Sequence, residues 1–372
     1  MERSKVLVLS ENFQYSENIM RCMCGLDYSI HLCGREYENE KIISGEVVNK
    51  FHALEKGFDE KDNHSLVDDI LLIINTEGID VVCPTDFESL MFLAKHKEKI
   101  DPACNVVSLP NAELIESLDN KEQCCIFLHG KGIKMPESAF YDADDLCSGG
   151  QVEQFPVVVK TIKGAGGKGV LLAESAGQVV EFAGEVSGRV QVQEYIDGVD
   201  YVFSGFCIEG CIKTWTVFKY SGVGGFDSKS IFAKFSRNEE VYEISERIVS
   251  VANYSGPIVI DYRRGNQCGE YYFIEVNPRF GNNTNVSLAD GVNFADVAIR
   301  LAQGEDYTKA PNANGIWACS LRRLLSAPFR KPSFISLKYF ALVGWPQWKL
   351  GLKQNRALYG GKKNWWYKLN GN

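Results

Sequence analysis

Four glycines and a lysine fall within the six residues Gly164-Ala165-Gly166-Gly167-Lys168-Gly169. Glycine at that density loses too much backbone freedom to sit inside a helix or strand, so the segment must be a loop. The apolar runs Val157-Val158-Val159-Lys160 and Val170 to Ala173 flank it, and runs of that length and composition read as buried strands. The segment is therefore predicted to be the tip of an antiparallel hairpin. Its spacing matches GxGxxG, but a dinucleotide pyrophosphate site needs a helix directly after the glycines, and a strand pattern follows here. A Walker A loop needs Ser or Thr after its lysine, where Gly169 stands. A protein kinase also uses a glycine hairpin, yet its lysine comes after the loop and its His-Arg-Asp and Asp-Phe-Gly segments are missing from this chain. What remains is a hairpin whose N–H groups and Lys168 close over phosphates, with Lys160 directed at the same anion. A solvated surface hairpin is the bland alternative.

Pro257-Ile258-Val259-Ile260-Asp261 reads as a strand ending on a carboxylate. In Tyr271-Tyr272-Phe273-Ile274-Glu275-Val276-Asn277, a second strand pattern, Glu275 and Asn277 share one face by the period of two. Three oxygen ligands from two neighbouring strands suit Mg2+ bridged to nucleotide phosphates, whereas metals preferring thiolate or imidazole are disfavoured. Pro278 ends the second strand, and Arg279 follows where a guanidinium would meet developing phosphoryl charge. A structural ion-pair network of Asp261, Glu275 and Arg279 at a sheet rim is the competing reading.

Upstream, residues 1 to about 110 alternate short apolar runs with helical patterns. Lys5 to Leu9, Tyr28 to Cys33 and Ile79 to Cys83 read as strands, and Glu17 to Gly25 and Leu66 to Ile74 as helices. Such alternation predicts a Rossmann-like parallel sheet covered by helices. The turn Ser10-Glu11-Asn12-Phe13 after the first strand has no glycine, so a pyrophosphate could not approach its backbone in the usual way. From about Asn111 the pattern changes. Two helical stretches, the second from Asn120 to about Gly130, precede strand patterns that follow one another without evident helices, at Arg189 to Ile196, Tyr201 to Cys207 and Ile212 to Tyr220, then the two already described. This region is predicted to be α+β with antiparallel sheets. Tyr220 to Phe226 reads as a mobile loop.

Three segments in this order resemble the ATP-grasp superfamily, particularly its carbamoyl-phosphate synthase-like branch of carboxylate-amine ligase type. They are Pro156 to Lys160 with the glycine loop, Val192-Gln193-Glu194-Tyr195-Ile196-Asp197-Gly198-Val199-Asp200, and Phe273 to Gly281. The resemblance covers about residues 1 to 306. It implies a pre-ATP-grasp Rossmann-like domain over 1–110, an ATP-grasp domain over 111–306 with a lid at about 130–195, and a C-terminal extension over 307–372. Residue by residue, it implies that Lys121 touches nucleotide phosphates and Lys160 holds the α and β phosphates. Gly164, Gly166, Gly167, Lys168 and Gly169 would form the lid. Gln193, Glu194, Tyr195 and Ile196 would be the hinge beside adenine, read through the backbone of Glu194 and Ile196, and Asp200 would take the ribose hydroxyls. Asp261, Glu275 and Asn277 would hold one or two Mg2+ ions, and Arg279 would steady an acyl-phosphate. Gln193 stands where relatives often have Glu, and Asn282-Asn283 replaces a more usual Gly-Ser pair.

The implied reaction is ATP-dependent. A substrate carboxylate attacks the γ-phosphate, and an amine captures the acyl-phosphate to form an amide or peptide bond. Such chemistry needs positioning and charge neutralisation more than a general base. His129, beside Gly130 at a helix end, reads as a surface cap, and no positioned base accompanies Cys207 or Cys211. An ATP-grasp enzyme that phosphorylates or carboxylates a small metabolite would share every nucleotide residue, as would a non-catalytic ATP-binding scaffold. Substrate contacts are expected near Pro84-Thr85-Asp86-Phe87-Glu88 at a strand end, although Thr85-Asp86 is equally a helix cap.

Composition sets the remaining bounds. The 372 residues are 45% hydrophobic and 24% charged, as in ordinary globular domains. Neither a signal-peptide core nor a membrane-spanning run is evident, and the 12 cysteines lack zinc-site spacing, so a cytoplasmic protein with reduced thiols is expected. The net charge of -8 hides an asymmetry. From Tyr307 onward there are 12 Lys and Arg and no Asp or Glu, together with five of the six tryptophans. A basic, Trp-rich tail packs on an acidic body or docks peripherally on a membrane, and nucleic acid is the least favoured partner. A homo-oligomer is compatible with all of this.

Overall fold

The structure, a computed structural model, describes residues 3–35, 47–59, 64–149, 152–164, 169–221, 232–281, 284–313 and 317–319. The first sheet is parallel, in the order β3-β2-β1-β4-β5. Its strands are β1 (Ser4–Ser10), β2 (Tyr28–Gly34), β3 (Lys50–Ala53), β4 (Val81–Pro84) and β5 (Asn105–Val106). Helices α1 (Phe13–Met23), α2 (His64–Glu77) and α3 (Phe87–Ile100) alternate with them. The unbroken apolar run of β1 has a simple cause, since both faces are covered. Val6 and Val8 point into a core with Ile19 and Met20 of α1, while Leu7 and Leu9 point into another with Leu66, Ile70, Phe92 and Leu93 from α2 and α3. Helix α1 begins four residues earlier than its apolar pattern suggests because Asn12 caps it, accepting from the Gln14 N–H.

Helices α4 (Ala112–Asp119) and α5 (Lys121–Leu128) lead into two antiparallel sheets. One has the order β6-β9-β7-β8, built from β6 (Ser138–Asp142), β7 (Val157–Thr161), β8 (Val170–Ala173) and β9 (Arg189–Glu194), with α6 (Ala143–Cys147) and α7 (Ala176–Glu185) packed on it. The other has the order β14-β13-β10-β11-β12-β15. Its members are β10 (Gly198–Ile208), β11 (Cys211–Ser221), β12 (Phe232–Phe235), β13 (Gly256–Gly265), β14 (Tyr271–Asn277) and β15 (Trp317–Cys319).

The antiparallel strands do not follow one another directly as the sequence pattern suggests. Helix α7 precedes β9 and α8 (Glu239–Val251) precedes β13. In α8 the buried positions Val241, Ser245, Ile248 and Val249 carry helical spacing between glutamates, and Asn238 caps the start by accepting from the Val241 N–H. A last helix, α9 (Phe294–Ala302), returns to the parallel sheet. Its Phe294, Ala295 and Ala298 join the core that also contains Val6, Val8, Phe206 and Phe280, so the first sheet and the large antiparallel sheet share buried side chains. Among the described residues no helix is long and apolar enough to cross a membrane. The expected loop beyond Ser221 and nearly all of the basic tail lie outside the described residues.

Candidate active site

Strands β13 and β14 pair with Asp261 opposite Glu275, and a bulge follows directly after Asp261. Partners across an antiparallel pair share a face, so the two carboxyl groups lie together, with Asn277 two residues along on the same side. Burial, and next the Glu275 charge beside it, push the Asp261 carboxyl well above the usual carboxylate range. Two like-charged oxygen groups held in contact, joined by an amide oxygen, form a donor set that a hard divalent cation would relieve. Next to them Arg279 is buried, donating to the Asn277 Oδ1 at 3.0 Å and to the Phe280 carbonyl at 3.2 Å. Its guanidinium lies 4.6 Å from the Tyr15 ring centre, which places it between the carboxylates and the parallel sheet.

Two lysines face the same carboxylates from other elements. Lys121 opens α5; its Nζ stands 3.7 Å from Glu275 Oε2, and its backbone N–H donates to the Ile162 carbonyl just past β7. Lys160 on β7 is 5% exposed and donates to Gln193 Oε1 at 2.8 Å. Burial lowers its pKa to about 8, against the opposing pull of Glu275.

Gln191 and Gln193, alternate residues on β9, turn their amides the same way. The Ser138 hydroxyl donates to the Pro136 carbonyl, so it accepts from Gln191 Nε2 at 3.1 Å and Gln193 Nε2 at 3.4 Å, which fixes both amide orientations. Gln191 Oε1 is thereby left buried without a hydrogen-bond partner in the wall of a cleft also lined by Asp119, Lys121, Cys125, Gly164, Glu275 and Asn277.

At the end of β9 the chain turns through Glu194, Tyr195 and Ile196. The Glu194 N–H donates to the Glu137 carbonyl at 2.8 Å, and the Ile196 carbonyl accepts from Arg263 Nε. Arg263 also holds Asp200 through an ion pair of 2.7 Å and lies over the Tyr195 ring at 5.3 Å. The approach is so close that a Cβ at Gly198 would collide with the Arg264 carbonyl. Of the glycine loop, Gly164 and Gly169 bracket a β7–β8 hairpin in which Lys160 pairs with Val170. Gly166, Gly167 and Lys168 lie outside the described residues, as do Asn282 and Asn283.

The C-terminal end of the parallel sheet faces Arg279. Asp86 caps α3 through a capping box with Ser89, and the same carboxylate accepts from the backbone N–H groups of Glu11 and Asn12 at 2.7 and 2.8 Å. These are the loop donors a dinucleotide fold turns toward pyrophosphate, and an internal carboxylate fills them here. Asp86→Ala would remove a cap and orphan the buried Glu11 N–H and the part-buried Asn12 N–H, so a loss of about 2 to 3 kcal/mol is expected in urea unfolding; an unchanged midpoint would contradict this account. Around the cap stand Glu11, which accepts from Arg35 and from the Phe58 N–H, and Glu88, whose carboxyl burial raises.

Lys121, Glu275 and Asn277 thus line one cleft, with Asp261 paired to Glu275, Arg279 bonded to Asn277 and the Lys160–Gln193 pair close behind, while Asp200 lies apart on β10 against Arg263. Gln191, Arg263, Asp119 and Tyr15 join them without having been singled out from the sequence. Only Gln191 had a readable signal, the Gln-x-Gln alternation in an otherwise apolar strand. His129 is exposed at the end of α5, and burial pushes the Cys207 thiol up, away from nucleophilic character.

Residues 118–283 match the family model of the ATP-grasp domain. The carbamoyl phosphate synthase large chain of Thermoanaerobacter pseudethanolicus is 28% identical over 190 residues, covering 47% of this chain. This chain spans only 17% of that relative's length. Among solved structures, the L-amino acid ligase from Bacillus licheniformis superposes with a TM-score of 0.62 at 18% identity, over 81% of this chain and 74% of that one. The biotin carboxylase domain of the Hydrogenobacter thermophilus 2-oxoglutarate carboxylase, solved as a dimer in complex with MgADP, gives 0.64 at 16% identity, over 85% and 74%. At these identities the structures speak for the fold. Residues 118–283 are therefore an ATP-grasp domain, and the chain is similar there to carbamoyl phosphate synthase large chains.

Proposed function

We propose that this protein is an ATP-dependent carboxylate-amine ligase that forms an amide or peptide bond through an acyl-phosphate and releases ADP and phosphate. The observation that carries the reading is the convergence of Asp261, Glu275 and Asn277 with Lys121, Lys160 and Arg279 on one cleft. Asp261, Glu275 and Asn277 would hold one or two Mg2+ ions, which supply positive charge against the nucleotide phosphates when bound.

The chain's own residues do the rest. Lys160 and Lys121 take the ATP phosphates, and Gly164, Gly166, Gly167, Lys168 and Gly169 cover them. The backbone of Glu194 and Ile196 reads adenine, with Gln193 and Tyr195 beside it, and Asp200, steadied by Arg263, takes the ribose. A substrate carboxylate oxygen then bonds to the γ-phosphorus as the bond to the ADP oxygen breaks. Arg279, fixed by Asn277 and Tyr15, stabilises the charge on that phosphoryl group. The amine attacks the acyl carbon, phosphate leaves and the nitrogen loses a proton. Mixed charges at the end of the parallel sheet, Glu11 with Arg35 and Glu88 near Arg279, favour a zwitterionic or amino-acid-like substrate entering between Tyr15 and Glu88.

ADP release measured across carboxylate and amine pairs, with hydroxylamine as an acyl-phosphate trap, tests the proposal. ADP release that requires a carboxylate and yields a hydroxamate supports it. ADP release without hydroxamate would point to another ATP-grasp phosphoryl transfer or carboxylation, and no release at all to a binding protein.

Lys160 gives a second test. Its pKa of about 8 in the free protein must rise when phosphates arrive, so nucleotide binding should take up protons just above pH 8 and weaken as pH rises further. Calorimetry near pH 8.5 in buffers of different ionisation enthalpy should show this uptake; enthalpies independent of buffer would remove Lys160 from the phosphate site.

A further inference from the structure

The oxygen-only cleft is not the one place where ligand atoms gather. At the β3 edge of the parallel sheet, His31 of β2, His52 of β3 and Glu77 at the end of α2 offer one ligand atom each, all within 4.8 Å of one another. Among the described residues this is the grouping of His, Cys, Asp and Glu with that property. We propose that His31, His52 and Glu77 form a Zn2+ site that clips the edge strand β3 to β2 and to the end of α2.

The geometry arises from register. His31 lies opposite Lys50 and Cys33 opposite His52, so the two histidines are diagonal neighbours on the sheet face that α2 covers. Their rings are stacked nearly parallel, 18° apart with centres 5.3 Å from one another, and His31 Nδ1 and His52 Nε2 are separated by 3.1 Å. A tetrahedral Zn2+ with bonds of about 2.0 to 2.1 Å sets its ligand atoms roughly 3.3 Å apart, so this pair is already spaced for shared ligation. Glu77 closes the rest by side-chain rotation, and the half-buried edge leaves the fourth position to water. Two imidazoles and a carboxylate suit Zn2+ and not Mg2+, the opposite preference to Asp261, Glu275 and Asn277.

The surrounding charges set what the ion must displace. Lys50 Nζ contacts Glu77 Oε1 at 2.6 Å, and Lys5 Nζ donates to the Glu77 carbonyl at 2.8 Å. Lys50 is 52% exposed, so it can turn to solvent and leave its carboxylate to the metal. Lys5 stays on a carbonyl at the negative end of α2, where a second positive charge is also favoured.

The alternative is a plain His31–His52 hydrogen bond beside a Lys50–Glu77 ion pair. The full chain, stripped with chelator and dialysed, is titrated with Zn2+ and separately with Co2+ as an optical probe, because 12 cysteines could bind zinc elsewhere. One equivalent bound with nitrogen and oxygen ligation, and a rise in the unfolding midpoint, are expected. His52→Gln and Glu77→Gln should each weaken that binding by about 100-fold and abolish the rise. Glu77 is at a helix end, so its variant reports even where a histidine variant folds poorly. Thiolate absorption in the Co2+ spectrum, undiminished binding in Glu77→Gln, or no binding by the wild type would each overturn the site.

Discussion

Glu275→Gln should lower turnover by on the order of 100-fold or more while the protein remains folded. The substitution keeps the shape of the side chain and removes one charge from the Asp261–Glu275 pair. In the free protein that charge is a liability, since it helps push the Asp261 carboxyl up. It also stands 3.7 Å from Lys121 Nζ, a pair that is one-third exposed on the glutamate side and so contributes little to stability. Losing Glu275 also removes support for the buried Lys160 ammonium, so the two effects offset and the variant is expected to unfold close to the wild-type denaturant concentration. A structural ion-pair network predicts the reverse, a clear loss of stability with modest change in rate. Steady-state ADP release and urea unfolding on the same preparation separate the two. Unchanged turnover would remove Glu275 from the reaction.

Legibility in the sequence followed the range of the interactions involved. The parallel sheet was readable because Val6 to Leu9 are buried on both faces and leave an uninterrupted apolar run. The hairpin was readable because a short-range glycine pattern sits between two such runs, and Glu275 with Asn277 because strand period alone puts them on one side. Helix α8 escaped notice since four buried positions are dispersed among glutamates, and its cap, Asn238, has no signature before the fold is known. Pairings across the chain left no local trace. Asp200 and Arg263 are brought together by the register of β10 on β13, and the Asp86 carboxylate reaches Glu11 and Asn12 from a helix cap about 75 residues away. Read alone, Thr85-Asp86 is either a substrate contact or a cap; the structure gives Asp86 the cap and a second duty in the loop donors.

Lys160→Met should weaken nucleotide binding by about 100-fold, the scale of losing one or two charge-assisted hydrogen bonds, and at the same time make the free protein more stable. The second effect follows from the lysine's own titration. Its pKa falls from 10.5 to about 8 on folding because burial disfavours the ammonium. The unfolded chain therefore binds the proton more tightly than the folded one. Below pH 8 the full cost of holding the charge inside is present, on the order of 3 kcal/mol, and it disappears as pH rises from 8 toward the unfolded value. Wild-type stability should accordingly gain from Lys160 between pH 8 and 10, whereas Lys160→Met should lack that gain and already be the more stable protein at pH 7. Methionine fills much the same volume, and the acceptor it abandons, Gln193 Oε1, sits beside the cleft and offsets only part of the difference. Nucleotide titration together with urea unfolding at pH 7 and pH 10 reads both effects. Tight nucleotide binding by the variant, or a wild type at least as stable as the variant at pH 7, would mean that the buried ammonium is kept for the fold and not for phosphate.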